Sequence, residues 1–176
     1  MKIPVFVSCP TKLNKKQNRS REQILKELER LQLEPRALGR SDYPSEFPLR
    51  EVCVIAKHCS GGIILGFEQF IAKAGIWKPG TKEKRKLARG KSEHFPSPWN
   101  HLEAGIIFGL QLPLLIFREE PVRGGVFDEG VTDVFIHSIP ESSLKDAKLE
   151  AFREVLLKWS SKVREHYYRI GGHGPS

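Results

Sequence analysis

The run Ser97-Pro98-Trp99-Asn100-His101-Leu102-Glu103 carries the residue types best suited to chemistry in this chain. Ser97 suits an N-cap and Pro98 the first helical position, so the run opens a helix. Trp99 and Glu103 are four apart and share a face of that helix. An aromatic plate beside a carboxylate suits a site that grips a planar base and stabilises positive charge on an attached sugar. The same residues also fit an ordinary capped helix with a surface glutamate. Glu103 is the only charge between Trp99 and Leu110. Leu102, Ala104, Ile106, Ile107, Phe108 and Leu110 make the helix apolar on most sides, the pattern of a buried helix. Gly105 and Gly109 would let its backbone lie close to a sheet. A partly buried carboxylate needs a partner or a function. A lysine or arginine of the preceding loop is the plain alternative partner.

The elements that must position this helix follow from periodicity. Ile3 to Ser8 is a β-branched first strand. Ser20 with Gln23 resembles a capping box before Ile24, Leu25, Leu28 and Leu31, which recur at helical spacing. Glu34 to Leu38 reads as a weak second strand, Gly39 to Pro48 as a loop and Leu49 to His58 as helix two. Gly62 to Phe67 is an apolar third strand. A long connection, Glu68 to Pro96, follows, with a helical turn expected at Gln69 to Ala74. Helix three spans Pro98 to Leu110, strand four Leu114 to Phe117 and strand five Asp133 to His137. Leu144 to Tyr168 is a long amphipathic helix, with Tyr167 and Tyr168 expected on its surface. Strands and helices alternate, so the class is α/β with a mainly parallel sheet. Five strands favour a flavodoxin-like three-layer sandwich of order 2-1-3-4-5, one domain over residues 1–170 with a flexible tail at 171–176. Ligands bind such sheets outside the carboxyl ends of the strands, where the order reverses between strands one and three.

Composition bounds the rest. With 39% hydrophobic and 28% charged residues, the 176-residue chain is a soluble globular class. No apolar run reaches membrane-spanning length, since Arg118 and Glu119 end the longest. Cys9, Cys53 and Cys59 are odd in number and without metal-ligand spacing, which fits free thiols in a reducing cytoplasm. Cys53 is expected in the core; Cys9 has no adjacent base to make it a nucleophile. His101 and His137 lack metal spacing, and no metal or cofactor is expected. Asp128, Glu129 and Asp133 read as turn residues beside Gly124, Gly125 and Gly130. The formal charge is +8 and uneven. Five basic residues and no acid lie between Lys12 and Arg21; seven lie between Lys78 and Lys91 against Glu83 alone. The two blocks leave strands one and three and would converge on the switch-point crevice. They lack interleaved aromatics, with Trp77 and Phe95 just outside, so nucleic acid is not the expected partner.

The S-x-W-x-x-x-E box, after strand three of such a sheet, resembles the TIR domain and the related nucleoside 2-deoxyribosyltransferases. Glu103-Ala104-Gly105-Ile106-Ile107 is similar to the transferase E-x-G-x-A pattern, with Ile107 where alanine is usual. Val5-Phe6-Val7-Ser8-Cys9-Pro10 looks like the first strand and substrate loop of both groups. Gly62 to Phe67 lacks the aspartate common near the end of strand three in the transferases, and the basic insertion is not a standard TIR element.

The resemblance implies N-glycosidic chemistry at C1′ of a ribose, with NAD or a related nucleotide as substrate. Glu103 would be catalytic, promoting loss of nicotinamide. A carboxylate does this by stabilising or capturing the oxocarbenium-like centre left when the neutral base departs. Ser8, Cys9, Pro10, Gly66, Phe67, Ser97, Trp99 and Asn100 would bind substrate: Ser8 and Pro10 at the ribose or nicotinamide end, Trp99 by stacking or by bracing the helix, Asn100 at a ribose hydroxyl. Lys12, Arg19, Lys82 and Arg85 would meet the pyrophosphate. The family further implies bacterial antiphage signalling; a homo-oligomer, for which Tyr167 and Tyr168 of the last helix offer a dimer contact, or a partner effector protein is the expected assembly. A deoxyribosyltransferase or nucleoside N-glycosidase, and a noncatalytic nucleotide-sensing or interaction domain, are the competing readings.

Overall fold

The computed structural model describes residues 2–37, 47–141 and 146–170. Its elements are β1 (Ile3–Ser8), α1 (Lys15–Arg30), β2 (Leu33–Arg36), α2 (Pro48–Lys57), β3 (Gly62–Gly66), β4 (Phe70–Ala72), β5 (Ile76–Trp77), β6 (Arg85–Lys86), β7 (Glu93–Phe95), α3 (Pro98–Gly109), β8 (Leu114–Arg118), a 3-10 turn (Gly125–Phe127), β9 (Ile136–Ser138) and α4 (Asp146–Ile170). The main sheet is parallel throughout, in the order β2-β1-β3-β8-β9. This is the expected 2-1-3-4-5 arrangement among the sheet strands. Leu38, residues 39–46 of the loop expected over Gly39 to Pro48, the expected start of the last helix at Leu144 and the tail 171–176 lie outside the described residues. Among the described residues no helix is long and apolar enough to cross a membrane.

Side-chain alternation splits the core in two. Val5, Val7, Ile63, Leu65 and Phe117 pack with α1 and α4 on one face. Phe6, Ile64 and Ile116 pack with Val52 of α2 and with Ala104 and Ile107 of α3 on the other. With helices on both faces, β3 is buried along its whole length, which is why it reads as an unbroken apolar run. Trp159 of α4 ties the two ends of this arrangement, donating its indole N–H to the Pro113 carbonyl at 2.9 Å.

Close approach on the second face is made by strand glycines, not by the helix glycines expected to make it. A Cβ at Gly105 or Gly109 would meet nothing within 4 Å. One at Gly62 would lie 2.8 Å from Ile107 Cγ2, and one at Gly66 only 2.3 Å from Phe127 Cε1. Phe127 is fully buried. Gly66→Ala is therefore expected to lower stability by about 1–3 kcal/mol through overpacking, a shift to be measured by urea denaturation.

Four other expectations are corrected. Helix α1 begins earlier than Ser20: Asn14 is the N-cap, accepting from Gln17 N at 2.9 Å while Gln17 Oε1 accepts from Asn14 N at 3.1 Å. Ser20 is instead buried in mid-helix. Consequently Lys15, Lys16, Arg19 and Arg21 ride on α1, and only Lys12 of that block lies in the loop after β1. Helix α3 is not buried all round, because only the stripe Asn100, Ala104 and Ile107 meets the sheet; Leu102 and Phe108 are nearly half exposed. Gln69 to Ala74 forms no helical turn. β4 pairs antiparallel with β7, and β5 with β6, so the long connection folds as a β-arm. Strands of two or three residues, paired across a long gap, leave no periodicity to read. Cys53 is half-buried rather than fully in the core.

At the other side of the sheet, β2 is an edge strand containing Pro35, which pairs with Val5. The Gln32 carbonyl accepts from Ile3 N at 3.1 Å. Alternation then turns the backbone of Pro35 outward, where a missing N–H breaks no ladder bond.

Candidate active site

The carboxyl ends of β1 and β3 lie side by side, and the loops leaving them converge with the first turn of α3. Together they line a cavity of about 460 Å³, formed by Cys9, Pro10, Thr11, Lys12, Gln69, Ser97, Trp99, Asn100 and Glu103. It occupies the switch point predicted for this strand order. Ser97 caps α3, its hydroxyl accepting from Trp99 N at 3.3 Å, and Pro98 fills the first turn. That cap fixes the helix start, which places Trp99 and Glu103 on the cavity side. Trp99 is 42% exposed, so part of its ring is open to a ligand.

Glu103 is half-buried, and burial pushes its carboxyl up to about pKa 7. A hydrogen bond from Ser8 acts against this, favouring the ionised form. Ser8 is itself held from behind: Asn100 Nδ2 donates to Ser8 Oγ at 2.7 Å and lies 3.4 Å from the Leu65 carbonyl. The Leu65 carbonyl fixes the amide orientation, since Oδ1 in that place would oppose another acceptor. With its oxygen accepting from Asn100, the Ser8 hydroxyl has its own proton free for Glu103. Asn100 thus holds Ser8 with its amide nitrogen. Its Oδ1 is buried and has no hydrogen-bond partner among the described residues.

Seven of the expected substrate and phosphate residues therefore converge with Glu103 or behind it: Cys9, Pro10, Ser97, Trp99, Asn100, Lys12 and, one layer back, Ser8. Gly66 and Phe67 do not. Phe127 covers Gly66, and Phe67 is fully buried in the α1–α4 core. Arg19, Lys82 and Arg85 are not among the lining residues: Arg19 lies exposed on α1, and Lys82 and Arg85 lie exposed on the β5–β6 hairpin. Sequence reasoning missed Thr11 and Gln69. Thr11 stood in plain view between Pro10 and Lys12, whereas Gln69 was hidden by the helical turn expected there.

Gln69 sits where the β-arm joins the sheet, and a polar cluster anchors that joint. Glu119 Oε2 accepts from Gln17 Nε2 at 2.9 Å and from the Glu68 amide at 2.6 Å, and Glu68 pairs with His94. Asp128 serves as a turn residue, its Oδ1 accepting from Gly124 N at 2.8 Å. Among the described residues no group of three His, Cys, Asp or Glu is placed to hold a metal ion.

Compared with known proteins, the chain has no significant match to a family model, a curated protein or a solved structure.

Proposed function

We propose that this chain is a TIR-like enzyme that breaks the bond between nicotinamide and ribose in NAD. The observation that carries this reading is Glu103, a carboxyl perturbed by burial, lining a nucleotide-sized cavity beside a half-exposed tryptophan. In this reading Trp99 stacks on a planar base. Lys12, together with the N-terminus of α1 a few residues on, meets the pyrophosphate. The first turn of α1 contributes no acid of its own. Lys12 favours a phosphate-bearing substrate over a neutral nucleoside, which ranks NAD above the deoxynucleosides of the transferase reading.

The C1′–N bond breaks with its electron pair moving to the nicotinamide ring, which leaves neutral. The ribose becomes oxocarbenium-like, and the ionised Glu103 carboxylate stabilises that charge from within a partly dehydrated site. Water then attacks C1′ and gives up its proton, yielding ADP-ribose; attack by an adenine nitrogen of the same molecule yields a cyclic product. Ser8 keeps Glu103 ionised and aimed, and Asn100 keeps Ser8 in place.

The test is incubation of purified protein with NAD, at high protein concentration to allow assembly, followed by chromatography for nicotinamide and ADP-ribose or its cyclic form. Release of nicotinamide supports the reading. Turnover of deoxynucleosides with NAD intact would select the transferase or N-glycosidase instead, and tight nucleotide binding without any product a sensing domain.

A further inference from the structure

The β-arm between β3 and α3 has a surface that the chemistry of Glu103 does not use. From Phe70 to Phe95 it carries eight lysines and arginines against Glu83 and Glu93, a formal +6 in 26 residues. Its aromatic residues, which flank the charges of residues 78–91 in the sequence without interleaving, come together with Arg85 in space. Phe70 and Phe95 rings are 6.3 Å apart, Phe95 and Trp77 rings 6.2 Å, and the Arg85 guanidinium lies 5.7 Å from the Trp77 ring centroid. Phe70 is 63% exposed and Trp77 39%. A short row of aromatic rings, ended by a stacked arginine and bordered by lysines, is thus turned to solvent.

The geometry points to this arm as a binding surface for single-stranded nucleic acid. Bases stack on exposed rings whatever their sequence, while surrounding cations follow the phosphates. The arrangement of charge decides against the other occupants. A second copy would set +6 against +6. A membrane would be entered by the hairpin tip, but residues 78–84 (Lys-Pro-Gly-Thr-Lys-Glu-Lys) carry no apolar side chain larger than proline, the exposed rings lying back on the strands. An acidic protein would satisfy the lysines but has no general need for a row of ring faces. A paired duplex hides its bases and leaves those rings without a partner.

The test is fluorescence anisotropy of the full chain with a fluorescein-labelled 20-nucleotide oligo(dT) and oligo(U), across a salt series. Expected are saturable binding, weakening steeply with salt, and clear preference over a duplex of equal length. Trp77→Ala should weaken binding by about tenfold. Lys82→Glu with Lys84→Glu, both exposed on the hairpin turn and neither part of the ring contacts, should weaken it by at least that much and flatten the salt slope. The double variant keeps the test decisive should Trp77→Ala disturb the arm. Absence of binding at low salt, equal affinity for duplex, or binding unaffected by both variants overturns the inference. So does stronger association with phosphatidylserine vesicles or a polyglutamate peptide than with the oligonucleotides. NAD turnover, measured alongside, is independent of the outcome, so failure of one proposal leaves the other standing.

Discussion

Glu103→Gln is expected to lower NAD cleavage by at least about 10²-fold, the loss associated with removing a single preorganised charge-stabilising group. The amide keeps the shape and still accepts the Ser8 hydrogen bond, so the fold is retained. Stability should respond in the opposite sense. The Glu103 carboxyl titrates near 7 in the folded chain, raised from 4.5 by burial. Between those values the folded state holds a proton that the unfolded state has lost, so wild-type stability falls as pH rises through this window. The full difference is up to about 3 kcal/mol. Glu103→Gln has no such group to ionise. Urea midpoints at pH 5 and pH 8.5 should therefore converge for the variant, leaving it more stable than wild type at the higher pH. A variant that is inactive yet no more stable at pH 8.5 would mean that Glu103 is not a strained, desolvated acid.

Ser8→Ala should produce the second large loss. Activity that depends on ionised Glu103 has an acidic limb, with kcat/KM rising with pH to a plateau above about 7. Ser8 holds that limb down by hydrogen bonding the carboxylate. Losing a hydrogen bond to a charged group is worth about 1.5–3 kcal/mol, which corresponds to roughly a ten- to hundredfold drop in rate at pH 6.5. The limb moves to higher pH, so the deficit shrinks at pH 9. Ser8→Thr, which keeps a hydroxyl, should restore the profile. A pH-independent loss would instead indicate that Ser8 matters only for packing, since its removal also takes an acceptor from the buried Asn100 amide.

The sheet order was legible because each of β1, β3 and β8 is a compact apolar run between polar turns, and the helices between them are long enough to show their period. The location of the site followed from that order and from the Ser97–Glu103 box. The roles within it were harder. Nothing in the spacing tells that Asn100 reaches back 92 positions to Ser8, because that bond exists only once α3 lies across the end of β1. Phe67 looked like a pocket residue because it ends an apolar strand at the ligand-binding edge, but pleating turns it into the α1–α4 core. The arm was least legible of all, its pairs being two or three residues long and its aromatic–cation contacts made between separate strands.

Pro35 gives one margin of the main sheet a defined end. With no N–H at its centre, the outer rim of β2 offers an interrupted template to any strand arriving from another molecule. Edge-to-edge growth and fibril-like aggregation are discouraged on that side, and higher-order assembly is steered toward side-chain contacts. Pro35→Val should be silent for the fold while making concentrated solutions more prone to turbidity.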